Sequence, residues 1–200
     1  MASLREQLST LGKGHEVLTI GQLEGAGISD QSVTRLVRQE ALIRVDRGLY
    51  RLPDGPVSRN HEIICVATIS PSSVIVLLSA LAFHEIGTQQ PHEVWVQLRA
   101  KGRVPELQWP KLRVVRTRIS ELFELGVETH HLGGQHVRIT SPARTVADCF
   151  KHRSKVGLET CIEAARETVR AEKATIAELA DMAKSLRVLS VMQPYLEVMG

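Results

Sequence analysis

Two periods of apolar residues alternate along this chain. Leu4, Leu8 and Leu11 recur at helical spacing, which predicts a helix over residues 3–11 that ends at Gly12 and Gly14. Thr19 and Gln22 have the spacing of a capping box, so a second helix is expected over 19–25. Gly27 suits the left-handed conformation that closes a helix, and Ser29 is a natural N-cap for the next. That third helix is predicted over 30–40, with Val33, Leu36 and Val37 as its inward stripe. The period then changes to two. Two short alternating runs flank Asp46-Arg47-Gly48, the signature of a hairpin. Pro53-Asp54-Gly55-Pro56 is the strongest punctuation in the chain, so a boundary is expected there, with domains over 1–55 and 56–200.

The remainder mixes both periods. Helices are expected over 59–69 and 79–86, strands over 92–98 and 112–117, and a loop over 100–110. Residues 127–132 and 136–140 flank Gly133-Gly134 and read as a hairpin. Ser141-Pro142 opens a helix, because proline suits the first helical position. Helices then follow over 143–152, 158–171, 176–186 and 189–198. Within the first of these, Val146, Cys149 and Phe150 should face inward, and Arg144 and Asp148 should share an exposed face. Asp148 and His152 read as a surface pair or cap. The expected fold class is α+β, a winged helix-turn-helix followed by a mixed α/β domain ending in helices.

Composition narrows the class without naming it. The chain has 200 residues, 43% hydrophobic and 24% charged, which excludes a wholly disordered polymer. Three cysteines far apart, Cys65, Cys149 and Cys161, give neither a disulfide framework nor a cysteine zinc site, and read as reduced thiols. The N-terminus has no apolar core of a signal peptide, and the apolar run from Val74 is broken by Ser79, far short of the ~20 residues of a membrane span. A cytoplasmic protein is expected, with no membrane partner.

The net charge of +3 is uninformative until it is divided by position. Residues 1–56 carry seven basic and seven acidic groups, but residues 30–51 hold five arginines against Asp30, Glu40 and Asp46. A helix, a short turn, a helix and a hairpin in this order form a winged helix-turn-helix, whose second helix can enter the major groove. Its outer face would carry Gln31 and Arg35 for base edges, and Ser32, Thr34 and Arg38 for phosphates or bases. The hairpin would add Arg44, Arg47 and Arg51, with Arg47 at the tip. A second feature is sharper: residues 99–118 carry Arg99, Lys101, Arg103, Lys111, Arg113, Arg116 and Arg118 against Glu106 alone, a net +6. Such a stretch can neutralise phosphates, or it can defend a solvated strand edge. Winged helices also serve as protein-interaction modules, a reading that stays open here.

Catalytic readings find little support. His130, His131 and His136 flank the Gly-Gly turn, but alternation puts the first two on opposite faces. A nuclease-like second domain is the remaining enzyme alternative. It needs clustered carboxylates and a lysine, whereas Glu93 is followed by Gln97 and Arg99. No catalytic residue, metal ligand or cofactor is expected.

Three runs carry a family resemblance: GISDQSVTRLVRQEALIRVDRGLYRLP (27–53), LLSALAFHEIGTQQPHEVWVQL (77–98) and ITSPARTVADCFKHRSKVGLETCIEAAR (139–166). The first resembles the winged helix of the AbiEi family, antitoxins and transcriptional regulators of bacterial type IV toxin–antitoxin systems. The other two are similar to that family's second domain. The resemblance implies a non-enzymatic repressor that binds inverted repeats in its own promoter DNA. It also implies a nucleotidyltransferase-like toxin as functional partner, with no stable complex required. By position it places the DNA-contacting helix at Ser29 to Arg38 and the wing at Arg44 to Arg51.

Overall fold

A computed structural model describes residues 4–199 and divides into two compact units. The first comprises the chain up to Ser72 together with residues 105–111 and 130–137. It holds α1 (Leu4–Gly12), β1 (Leu18–Thr19), α2 (Ile20–Gly25), α3 (Asp30–Arg38), β2 (Ile43–Asp46), β3 (Leu49–Arg51) and α4 (His61–Ile69). The expected start of the first helix at Ser3 lies outside the described residues, as does the side chain of Leu4.

Local chemistry sets most of these boundaries. The Thr19 hydroxyl accepts from the Gln22 amide at 3.2 Å while the Gln22 side chain takes the Thr19 amide at 2.8 Å, a complete capping box. Gly27 closes α2 in the left-handed region (φ 84°), and Ile28 donates back to the Leu23 carbonyl at 3.0 Å. Ser29 then caps α3 through the Ser32 amide. Apolar residues spaced along α1, α2 and α3 converge with the sheet: Leu8, Leu18, Leu23, Ile28, Val33, Leu36, Leu42 and Tyr50 form one buried cluster. The three strands run antiparallel in the order β1-β3-β2, with Leu18 opposite Tyr50 and Ile43 opposite Arg51. This is the winged helix-turn-helix, with β1 as an added strand too short to show a period.

The boundary expected near Pro53 falls inside this unit. Ile64 and Cys65 of α4 pack with Val17 and Leu49 in a second buried cluster, joined by Leu107 and Leu132 from the two later segments.

The second unit contains β4 (Val74–Ile75), α5 (Leu77–Phe83), β5 (Val94–Arg99), β6 (Leu112–Thr117), α6 (Ser120–Glu124), β7 (Val127–Leu132), β8 (Gln135–Thr140), α7 (Pro142–Lys151), α8 (Arg153–Val156), α9 (Leu158–Arg170), α10 (Ile176–Ser185) and α11 (Leu189–Glu197). The tip of the β7–β8 hairpin is grouped with the first unit. The mixed sheet has the order β6-β5-β4-β8-β7, with β5 parallel to β6, and β4 antiparallel to β5 and parallel to β8. The protein is therefore α+β, a winged helix followed by a mixed α/β unit that ends in helices.

One expectation is borne out and one corrected in this unit. The strand expected over 92–98 is β5, and from Val94 to Leu98 every one of its residues is buried, as befits an interior strand of the sheet. Arg144 and Asp148 do not face solvent. Arg144 is 1% exposed and Asp148 6%, and their side chains meet at 2.7 Å. Helical spacing fixes that the two share a face, but α7 is enclosed nearly all round, so that face is interior too.

Candidate nucleic-acid interface

α3 carries the residues expected to read DNA. Gln31, Thr34, Arg35 and Arg38 are exposed along its outer face, and Val33 and Leu36 anchor the opposite face. Three of the polar residues serve the helix itself. Ser29 accepts from the Ser32 amide at 3.3 Å, the two serine hydroxyls lie 3.1 Å apart, and Thr34 donates to the Asp30 carbonyl at 3.1 Å. Among the described residues, the side chains of Gln31, Arg35 and Arg38 meet no hydrogen-bond or ion-pair partner within the chain. They keep their donors for an external acceptor.

The wing divides its arginines in the same way. Arg47 projects from the turn between β2 and β3, exposed and, among the described residues, with its guanidinium unengaged, beside Gly48 at φ 76°. Arg44 donates to the Asp46 carbonyl at 3.4 Å. Arg51 donates to the carbonyls of Leu52 and Pro53 at 3.1 and 3.3 Å. These two hold the wing's base and the chain leaving it.

Asp46 organises the tip. Its Oδ1 accepts the Arg47 amide at 2.5 Å, and its Oδ2 accepts the amides of Gln108 and Trp109 at 2.7 and 3.0 Å. Burial by itself would raise its pKa, but the amides of Trp109, Arg47 and Gln108, with the charge of Arg44, hold the carboxyl below its ordinary value. Nearby, buried Glu16 accepts the Ser58 amide at 3.1 Å and pairs with His61 Nδ1 at 2.6 Å. Two of the seven acidic residues before position 56 are thus internal and hydrogen-bonded. The neutral charge count understates the positive character of the surface. Sequence reasoning missed these supports, and no spacing signal links Asp46 to a residue 62 positions away.

The basic stretch of residues 99–118 is largely engaged within the second unit. Arg99 donates to Ser120 and Glu124 at 2.9 and 2.8 Å and lies over the Phe123 ring. Arg116 donates to the carbonyls of Arg99, Ala100 and Gly102 at 2.9–3.0 Å. Arg113 stacks over Trp95 and faces Glu93 at 3.6 Å. Arg103 has an internal partner as well, whereas Lys101 is exposed without one among the described residues.

Other chemistry is accounted for structurally. His61 Nε2 lies 3.8 Å from Cys65 Sγ, which gives the order Cys–His–Glu, but the thiol is fully buried. Burial and the nearby charges of Glu16, Glu62 and Asp46 push it up to about 12, so it stays protonated and is no nucleophile. Burial pushes Cys161 up to about 11 and raises Cys149 well above its ordinary value. The rings of His131 and His136 meet edge-to-face at 3.9 Å. Among the described residues no group of three or more His, Cys, Asp or Glu side chains is placed to hold a metal, and no helix is long and apolar enough to cross a membrane.

Comparison with known proteins bears on this interface. The chain is similar over most of its length to the crystal structure of the RV2827C protein from Mycobacterium tuberculosis, covering 92% of this chain and 72% of that one at 14% identity and a TM-score of 0.61. That likeness concerns the fold alone. No curated protein matches the chain. Residues 6–53 match the AbiEi_4 family, described as transcriptional regulator, AbiEi antitoxin. The matched segment begins within α1 and ends just past the wing, so it carries the whole outer face of α3 and the exposed Arg47. Residues 6–53 are thus similar to the N-terminal segment of AbiEi-type transcriptional regulators.

Proposed function

We propose that this protein is a sequence-specific transcriptional repressor that binds inverted repeats in its own promoter and serves as the antitoxin of a type IV pair. The carrying observation is that the segment matching AbiEi regulators presents Gln31, Arg35, Arg38 and Arg47 exposed and unengaged on a helix and wing. In this reading α3 enters the major groove. Gln31 and Arg35 meet base edges there, while Ser29, Ser32, Thr34 and Arg38 lie toward phosphates. Arg47 reaches the backbone or minor groove from the wing, and Arg44 and Arg51 set the wing's shape beneath it. Of Arg99, Lys101 and Arg103, only Lys101 keeps its charge free for a phosphate. Occupancy of the promoter blocks transcription. The partner toxin is a nucleotidyltransferase-like protein encoded alongside, and the antitoxin acts without a lasting complex.

The test is binding of purified protein to labelled duplex from its own upstream region, against random duplex, over a series of salt concentrations. Arg35→Ala is expected to weaken specific binding by about 1–3 kcal/mol and to relax preference at one base position. Arg38→Ala is expected to weaken both duplexes alike and to reduce the salt slope by about one. Equal affinity of the unmodified protein for upstream and random DNA overturns the repressor reading. Cell growth on co-expression with the neighbouring reading frame tests the antitoxin role separately.

A further inference from the structure

The basic stretch between β5 and β6 is not one surface. Residues 105–111 belong to the first unit, whereas the residues on either side belong to the second. Within the first unit, one carboxylate joins this excursion to the wing: Asp46 takes the Arg47 amide on one oxygen and the Gln108 and Trp109 amides on the other. The backbone of residues 108–109 therefore stands beside the wing tip.

That bond uses main-chain donors only, so it would form with almost any side chain at these positions. Yet position 109 carries a tryptophan that is 42% exposed, its ring tilted at 35° to that of His61 with a centroid distance of 5.7 Å. Gln108 and Lys111 are exposed, and among the described residues their side chains have no partner within the chain. Glu106, the one acid of the segment, already has an internal partner. The solvent side thus offers an apolar ring with one N–H, an amide with two N–H donors and an ammonium group, next to the free guanidinium of Arg47.

We infer that residues 108–111 form a second finger beside the wing that grips the sugar-phosphate backbone of duplex DNA. Trp109 packs its ring on a deoxyribose and donates to a phosphate oxygen, Gln108 donates to a phosphate, and Lys111 neutralises one. Duplex DNA is the occupant that this surface favours over a protein partner, because its free polar groups are donors and cations and it continues the wing. This rests on the DNA-binding reading above, and it narrows the phosphate contacts of the first unit's share of the +6 stretch to this loop.

The full-length protein tests it without alteration. Its other tryptophan, Trp95, is buried, so acrylamide quenching of the native protein reports Trp109. Binding is followed independently by anisotropy of labelled upstream duplex. Saturating duplex is expected to lower the quenching constant of Trp109 several-fold. Lys111→Ala is expected to reduce the salt slope by about one. Trp109→Ala is expected to weaken upstream and random duplexes several-fold and alike, because a backbone contact carries no sequence information. If Trp109→Ala does not fold, quenching of the unmodified protein and Lys111→Ala still decide the matter. Bound duplex with unchanged quenching and an unchanged slope for Lys111→Ala overturns the finger while leaving the regulator reading intact. No binding of duplex by the unmodified protein, under conditions where it is folded, overturns both.

Discussion

Replacing Arg144 with Met lowers the stability of the protein by about 3–5 kcal/mol, the range for breaking a buried ion pair from one side. The guanidinium donates through Nε to Asp148 Oδ2 at 2.7 Å and through Nη1 to the Leu125 carbonyl at 2.6 Å, with both side chains almost wholly excluded from water. Burial pushes the Asp148 carboxyl up against the pull of Arg144, so removing Arg144 leaves this buried group without the cation that it touches. The Leu125 carbonyl loses its donor in the same step. Urea unfolding followed by circular dichroism measures the loss. The double variant Arg144→Met/Asp148→Leu is expected to recover most of it, because apolar residues of similar volume often replace a buried pair at little cost. A double variant as unstable as the sum of both singles would show that the pair is not the relevant coupling.

Asp46→Ala costs roughly 3 kcal/mol and detaches the wing tip from residues 108–109. Three amides share this carboxylate, and bonds to a charged acceptor are worth about 1.5–3 kcal/mol each before the remaining structure relaxes. The sign of the pH effect follows from the lowered pKa. Because the folded value lies below the ordinary 3.8, the contribution is fully present above the unfolded value and is lost as pH falls through the folded one. The native protein should therefore lose stability on acidification below about pH 4 through this group. Asp46→Ala should lack that component, which acid titration of the unfolding midpoint reveals. DNA affinity should fall together with stability in Asp46→Ala, whereas Arg47→Ala should weaken binding and leave the unfolding midpoint in place. Unchanged stability in Asp46→Ala would mean that water replaces the carboxylate at all three amides.

The winged helix was legible because its signals are local. Capping at Thr19 and Ser29, the left-handed Gly27 and the period-two runs around Gly48 each involve residues within a turn or two of one another, and each recurs in the structure. The late helices were legible for the same reason, with Ser141 and Pro142 opening α7 where expected. β1 and β4 were not, since two-residue strands show no period. The two members of a buried ion pair also look identical, in sequence, to a solvated pair at the same helical spacing.

Sequence by itself determined the order of the longer elements, the inward stripe of α3 and the residues of its outer face, because side-chain periodicity and capping depend on neighbours along the chain. Tertiary structure alone decided which charges remain available. Arg99, Arg113 and Arg116 are engaged by carbonyls, carboxylates and rings of the second unit, while Arg35, Arg38 and Arg47 are not. It likewise decided that Asp46 binds amides 62 residues away and that Arg144 and Asp148 are interior. The reason is physical: a charge is defined by its partners and its burial, and both depend on residues that come together only when the chain folds.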